Sequence, residues 1–221
     1  MKTLTQQEFK RKWENYWYYY KWHTIAGLFV LLLVVIFIRD MVGREEYDAN
    51  IMLATSRFVS DEQVAEFEQQ AEKYFTDIDG DGQVNLSVVP IVIQKGENGQ
   101  PADPQYAYSM QVKLMAEVSS DRSMIYVFDD DFYDMFTKEA APRNLAADFP
   151  DNPQVQGPVW MIGESEFAKQ SFLKDYTPST GVKIYAAMGD GSGITKPKEQ
   201  ERYNKVLEGL SNMVNNKVVN P

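Results

Sequence analysis

The feature that most constrains this chain is an apolar run near its N-terminus, residues 25–38, which contains no polar side chain. The run is shorter than the ~20 apolar residues that usually cross a bilayer as a helix. An aromatic belt of the kind found at membrane–water interfaces precedes it and lengthens it. The belt comprises Tyr16, Trp17, Tyr18, Tyr19, Tyr20 and Trp22, with Lys21 among them. We therefore predict one transmembrane helix over residues 22–39.

The distribution of basic residues predicts the orientation of that helix. Five basic residues precede the apolar run, whereas Arg39 and Arg44 follow it. The positive-inside rule then places the tail, residues 1–21, in the cytoplasm and a domain, residues 47–217, outside the cell. A cleaved signal peptide and a buried core helix are the alternatives. The long aromatic N-terminal region, with no small-residue cleavage pattern after the run, favours a single-pass anchor in the cell membrane.

Composition excludes several classes of function for the outer domain. The chain has a net charge of −10, but its first 23 residues carry an excess of three positive charges, so the rest is strongly acidic. Such a domain is unsuited to nucleic acid, which is held by Lys and Arg. The chain has no cysteine and only His23 as histidine, which excludes thiolate sites and a Ser-His-Asp triad outside the membrane. We predict that the protein is not an enzyme.

Hydrophobic periodicity after residue 46 alternates between the strand and helix patterns. Strands are predicted at residues 47–55, 84–92, 124–128, 159–162 and 182–188. A capping box over residues 60–63 starts one helix, and two others are predicted at residues 104–119 and 198–215. Residues 145–158, rich in proline, are predicted to be a surface loop. The order predicts an α/β fold with a doubly wound, mainly parallel sheet and helices on both faces.

The same order of elements carries a resemblance. The strand at residues 50–55, the capped helix, the strand at residues 84–92, a further helix and the acidic stretch within residues 120–131 resemble one lobe of bacterial extracellular solute-binding proteins, of the type II periplasmic-binding-protein-like kind. The resemblance spans residues 48–138. It implies a domain that holds a ligand in a cleft, here half a cleft. The chain departs from that family because a helix, not a lipid, anchors it and because it is short for two lobes.

One segment matches the start of an EF-hand calcium loop. Carboxylates occupy loop positions 1, 3 and 5 and glycine occupies position 6, namely Asp77, Asp79, Asp81 and Gly82. Asn85 stands at position 9, but Val88 replaces the bidentate glutamate of position 12. The pattern predicts a weak calcium site formed by the three aspartates and Asn85. A solvated turn between a helix and a strand is the alternative.

Polar residues follow two of the predicted strands. Thr55, Ser56 and Arg57 follow the first strand, and Asp129 and Asp130 follow the third. Ligands of open α/β sheets bind outside the carboxyl ends of the strands, so we predict that these five residues bind a ligand. Capping of the next helix by the aspartates is the alternative. The glycine-rich stretch at residues 189–193 lacks the spacing of a phosphate-binding loop and is predicted to be a flexible loop.

Together these features predict a membrane-anchored, non-enzymatic binding or accessory domain outside the cell. Its expected partners are the membrane and a small molecule or protein outside the cell. The alternative is a structural or interaction component of a cell-envelope complex, stabilised by calcium. A pocket at the carboxyl ends of the strands favours the first reading. A flat sheet end with an exposed apolar patch elsewhere favours the second.

Overall fold

A computed structural model describes residues 6–42, 47–96, 98–120 and 123–220 of the chain. The chain divides into two compact units, Met1–Glu46 and Tyr47–Pro221. The first unit contains the helix α1 (Gln6–Val42), which is about 55 Å long at 1.5 Å per residue. Its segment Trp13–Arg39 is long and apolar enough to cross a membrane, as both anchors and signal sequences are.

The aromatic belt of α1 forms an ordered array of rings along the helix. Trp13 stacks on Trp17 and Tyr16 stacks on Tyr20, with ring centroids 6.2 and 5.4 Å apart. The Tyr16 hydroxyl shares a hydrogen bond of 2.8 Å with Thr24 Oγ1, two turns further along. The two rings of each pair meet because residues four positions apart lie on the same face of a helix.

The second unit is a mixed α/β domain built on a single sheet. Its strands are β1 (Ala49–Thr55), β2 (Leu86–Val92), β3 (Ser123–Asp129), β4 (Val155–Gln156), β5 (Val159–Trp160) and β6 (Ile184–Met188). They are ordered β2-β1-β3-β6-β5-β4. β1 pairs in parallel with β2 and β3, whereas β6, β5 and β4 join antiparallel. The carboxyl ends of the three parallel strands therefore lie at the same end of the sheet.

Helices and short turns connect these strands. The helices are α2 (Asp61–Glu72), α3 (Pro104–Ser119), α4 (Leu145–Asp148), α5 (Leu173–Thr180) and α6 (Pro197–Val214). Three turns of 3₁₀ helix occur at Asp130–Phe132, Ile162–Glu164 and Ala168–Gln170, and a π-helical turn occurs at Met135–Glu139. The capping box at the start of α2 is formed as the sequence predicts, with the Ser60 hydroxyl accepting from the Gln63 N–H and the Gln63 side chain accepting from the Ser60 N–H.

Two separate apolar clusters form the core. Ile51 and Leu53 of β1 belong to the first cluster, and Met52 and Ala54 belong to the second. Successive side chains of a strand point to opposite faces, so each face of the sheet carries its own buried cluster. The first cluster includes residues of α2, α5 and α6, and the second includes Leu114 of α3.

Helix α6 packs closely against the segment that follows α2. Gly209 is buried in α6, and a Cβ atom built on it would lie 2.8 Å from Cγ of Phe75 and closer still to the ring edge. Phe75 has no exposed surface. A side chain at position 209 would therefore overlap a ring that is fixed on all sides.

The same helix connects the beginning and the end of the domain. Arg202 Nη2 donates to the Tyr47 carbonyl oxygen at 2.7 Å. Near the other end of α6, Asn212 Nδ2 donates to the Tyr74 carbonyl at 3.0 Å, and the Tyr74 hydroxyl donates to Asn216 Oδ1 at 2.8 Å. The last helix is thus bound to residues that lie well over a hundred positions earlier in the chain.

Several predicted boundaries differ from the structure. The predicted strand at residues 159–162 ends at Trp160, because Ile162 is buried in a 3₁₀ turn instead. The predicted surface loop at residues 145–158 contains α4 and β4, with Leu145 and Val155 buried. Both errors arise because short apolar stretches look alike in sequence whether a strand or a turn buries them.

Candidate functional site

The carboxyl ends of β1 and β3 are joined by a buried hydrogen-bond cluster. Asp129 Oδ2 accepts from the Ser56 backbone N–H at 2.6 Å and from its hydroxyl at 2.8 Å. Its other oxygen, Oδ1, accepts from the Asp131 N–H at 3.1 Å. Asp129 has no exposed surface and Ser56 is only 3% exposed. The structure therefore brings together these two predicted site residues, but their polar atoms are directed at each other.

Burial shifts the acidity of this cluster. Desolvation raises the pKa of Asp129, and the hydrogen bonds from Ser56 and Asp131 offset that rise only in part. Thr55 is also buried, and its hydroxyl donates to the Arg57 carbonyl at 2.9 Å. These residues fix the shape of the sheet edge by connecting its two loops.

The remaining predicted ligand residues lie nearer to solvent. Arg57 is exposed. Asp130 accepts from the Lys183 N–H at 3.1 Å and from the Tyr185 hydroxyl at 3.0 Å, which ties the loop after β3 to β6. Asp131 forms an ion pair with Lys95. The predicted set is therefore split between a buried cluster and an exposed rim.

An open pocket of about 410 Å³ lies beside the carboxyl end of β2, between the first turns of α2 and α3. Its size is within the range of small-molecule sites. Its lining combines apolar, aromatic and hydrogen-bonding groups: Phe58, Val59, Asp61, Pro90, Val92, Gln94, Ala102, Asp103, Tyr106 and Ala107. Proline is tolerated in β2 because that strand is at the edge of the sheet.

A second cluster of polar groups lies at the opposite end of the parallel strands, around Asp48. This residue directly precedes β1 and is only 1% exposed. Asp48 Oδ1 accepts from the N–H groups of Ile78 and Asp79, and Oδ2 accepts from the Asn85 N–H at 2.8 Å. One buried carboxylate thus holds the aspartate-rich loop between α2 and β2 against the start of the sheet.

The loop itself is ordered by its own carboxylates. Asp77 accepts from the N–H groups of Gly80 at 2.6 Å and Gly82 at 2.9 Å, and these bonds lower the pKa of Asp77. Gly80 and Gly82 have φ angles of 88° and 87°, a left-handed region that favours glycine. Asp81 accepts from the Gln83 N–H at 2.7 Å. The loop has the tight backbone that its glycine spacing predicts.

Three carboxylates of this region could hold a metal ion. Ligand oxygens of Asp48, Asp77 and Asp79 all lie within 4.8 Å of one another. This group contains two of the four predicted metal ligands. Asp81 is not a member of this group of carboxylates, and Asn85 donates its backbone N–H to Asp48. An all-oxygen set of this kind suits a hard cation.

Sequence reasoning missed Asp48 and the aromatic pocket lining. Asp48 is 29 positions before Asp77 and carries one signal, a carboxylate directly before an apolar strand. Phe58 and Tyr106 are 67% and 50% exposed, and nothing in their local sequence indicates a shared pocket. Tyr176 was also missed: it is buried, and this burial raises the pKa of its hydroxyl to about 12.

Comparison of the chain with protein-family models, with curated proteins and with solved structures finds no match in any of the three.

Proposed function

We propose that this chain is a single-pass membrane protein whose α/β domain lies outside the cell and is a non-enzymatic binding module. The observation that carries the proposal is the pocket beside the carboxyl end of β2. Open α/β sheets bind ligands at this edge, where loops diverge and helices begin. The pocket is polar and apolar at once, as a site that selects one ligand must be.

The details of the proposed fold follow the resemblance to a solute-binding lobe. We propose a doubly wound arrangement in which α2 and α6 cover one face of the sheet and α3 covers the other. The division of β1 into two apolar clusters supports it, since Leu53 and Met52 pack with different helices. The sequence of connections from β1 through α2 and β2 to α3 and β3 supports it too.

The membrane part of the proposal rests on α1. We propose that its aromatic belt lies at the cytoplasmic surface, because basic residues are concentrated before the apolar run. The acidic domain then lies outside the cell, where an anionic bilayer surface repels it.

Protease protection tests this topology. When the full chain is expressed in cells converted to protoplasts, protease added outside should degrade the α/β domain and leave a small N-terminal fragment intact. The fragment should still contain Lys10, Arg11 and Lys12, detected by an N-terminal tag. Cleavage of the tag from outside would reverse the orientation, and a mature chain that begins after Gly43 would replace the anchor by a signal peptide.

We further propose that the carboxylates of Asp48, Asp77 and Asp79 bind calcium and that this binding stabilises the domain. The three carboxylates carry like charges at short range, so a cation between them relieves repulsion. Two basic residues lie nearby, but both donate to backbone carbonyl oxygens: Lys205 Nζ to Ile78 at 3.4 Å and Arg202 Nε to Asp48 at 3.3 Å. Calcium tolerates an irregular arrangement of oxygen ligands, whereas magnesium requires near-ideal octahedral geometry. Sites outside cells can be weak, because calcium is present there at millimolar concentration.

Ligand-induced stabilisation tests the binding function. In a thermal-shift screen of the full chain in detergent, a true ligand at a hundred times its Kd should stabilise the domain by about 2.7 kcal/mol. Ala102→Trp should abolish this shift, because Ala102 is exposed and lines the pocket, so a large ring there fills it without entering the core.

Ala116→Trp is the matched control for that screen. Ala116 is an exposed alanine of α3 and does not line the pocket, so its variant should respond to the ligand as the parent does. A shift that survives Ala102→Trp would move the binding site elsewhere. A broad screen without any shift would end the proposal.

An interaction role is the second candidate, and one surface favours it. Helix α3 carries three apolar side chains one helical turn apart that are directed to solvent, Tyr108, Val112 and Met115, which are 70%, 53% and 56% exposed. A stripe of this kind commonly meets another protein. Substitution of Val112 and Met115 by Ser would remove a partner on that stripe and leave the pocket unchanged.

A further inference from the structure

The charged side chains that line the pocket are all acidic. Two carboxylates, Asp61 and Asp103, and two aromatic rings, Phe58 and Tyr106, line the pocket, and no basic side chain of the described residues does. Gln94 adds an amide, and the other lining residues are apolar. An aromatic face and a carboxylate both attract a positive charge.

The helix ends around the pocket do not reverse this preference. A free helix N-terminus attracts anions, and both α2 and α3 begin at the pocket. Each of these ends is already capped within the chain: the Ser60 hydroxyl accepts from the Gln63 N–H, and Asp103 Oδ1 accepts from two N–H groups at 3.0 Å. Oδ2 of Asp103 accepts no hydrogen bond from the part of the chain that is described.

The neighbouring basic residues Lys95 and Lys113 already have partners within the chain. Lys95 forms an ion pair with Asp131. Burial raises the pKa of Asp131, but hydrogen bonds from Lys95 and Ser56 and the charges of Lys95 and Arg57 lower it overall. Lys113 Nζ is 3.4 Å from the Pro90 carbonyl oxygen. Among the described residues, no basic side chain forms an ion pair with Asp61 or Asp103.

We infer that this pocket binds an organic cation, an ammonium or guanidinium group carried on an apolar body. The cationic group lies near Asp61 and Asp103, and the apolar body lies against Phe58 and Tyr106. The inference rests on the proposed binding function and names the ligand class of that site. A free amine and the side chain of a basic peptide share this chemistry.

Three probes of one shape test the charge preference. Phenethylammonium, 2-phenylethanol and 3-phenylpropionate carry the same ring on a two-carbon chain with a positive, neutral or negative end. Each is titrated into the full chain in detergent by calorimetry. Phenethylammonium should bind at least about tenfold more tightly than the other two. A lysine-containing capped tripeptide is titrated in parallel, and whichever of the two amines binds more tightly identifies the source.

The matched variants separate charge in the pocket from overall charge. D61N/D103N should weaken phenethylammonium binding by about tenfold, since Asn at position 103 still caps α3 and preserves the helix. D151N/D175N removes two exposed carboxylates outside this pocket and should bind as the parent does.

The outcomes distinguish the ligand class from the binding function. Binding of 3-phenylpropionate as tightly as phenethylammonium, or unchanged cation binding in D61N/D103N, would overturn the cation inference and leave a functional pocket. Identical titrations of the parent and the Ala102→Trp variant with all the probes would overturn the cation inference, and a negative thermal-shift screen would then remove the binding function as well.

Discussion

The Gly209→Ala variant should be destabilised by about 2 kcal/mol. The added methyl group overlaps the Phe75 ring, and overpacking of a filled core costs about 1–3 kcal/mol or more. Alanine recovers up to ~1 kcal/mol of helix propensity, which offsets part of the overlap. For a domain of this size the melting temperature should fall by roughly 4–8 °C. Pulse proteolysis of the full chain along a urea series measures the change.

A double-mutant cycle identifies the cause of this effect. Phe75→Leu alone should destabilise the domain by leaving a cavity, but Gly209→Ala in the Phe75→Leu background should cost little or be stabilising. Glu208→Ala, at the neighbouring exposed position of α6, is the control for the alanine itself. Additive effects of the two core substitutions would show that contact with Phe75 is not what restricts the size of the side chain at position 209.

The Asp48→Ala substitution should lower the free energy of unfolding of the domain by about 3 kcal/mol. Asp48 accepts three backbone hydrogen bonds in a buried position, and each buried donor left without a partner costs about 1–3 kcal/mol. Relief of repulsion with Asp77 and Asp79 reduces the total. Asp81→Ala is the matched control, because Asp81 is exposed and accepts only the Gln83 N–H. Equal losses for both variants would contradict the role of Asp48 as organiser of the loop.

Calcium should act through the same carboxylate. In the parent chain, calcium at ten times its Kd should stabilise the domain by about 1.4 kcal/mol over a chelator-treated sample, with magnesium as the control. Neither Asp48→Ala nor Asp79→Ala should be stabilised by calcium. The Asp79→Ala variant is the safer test, because Asp79 is exposed and its substitution should disturb the fold less. A calcium effect that persists in both variants would exclude these carboxylates as ligands.

The sequence predicts the elements with strong periodicity or a chemical start signal. The capping box at Ser60, the helix Pro104–Ser119 and the apolar strand Ser123–Asp129 lie where the patterns place them, because each pattern reflects a local physical need. The antiparallel pairing of β6, β5 and β4 was not predictable in this way. Trp160 pairs with Ala186 through contacts between distant segments, which local patterns do not encode.

The candidate sites were predictable only in part for the same reason. Asp77 and Asp79 share a local motif, but their neighbour Asp48 reaches them only through the fold. Ser56 and Asp129 could be placed at one sheet edge from strand order. The sequence does not show that the Ser56 hydroxyl and the Asp129 carboxylate form a hydrogen bond, which is 2.8 Å long. The pocket depends on two helix starts that meet only after β1 and β2 pair in parallel.

The bonds between α6 and the early part of the domain determine when the nascent chain can fold. β1 shares its apolar cluster with Val206 and Leu210, so this core stays incomplete until α6 has been synthesised. At ribosomal speeds the interval between the two segments is roughly ten to thirty seconds. Throughout that time β1 lacks the apolar side chains that α6 contributes to its cluster. A chain of this design should therefore acquire protease resistance only after α6 has emerged from the ribosome.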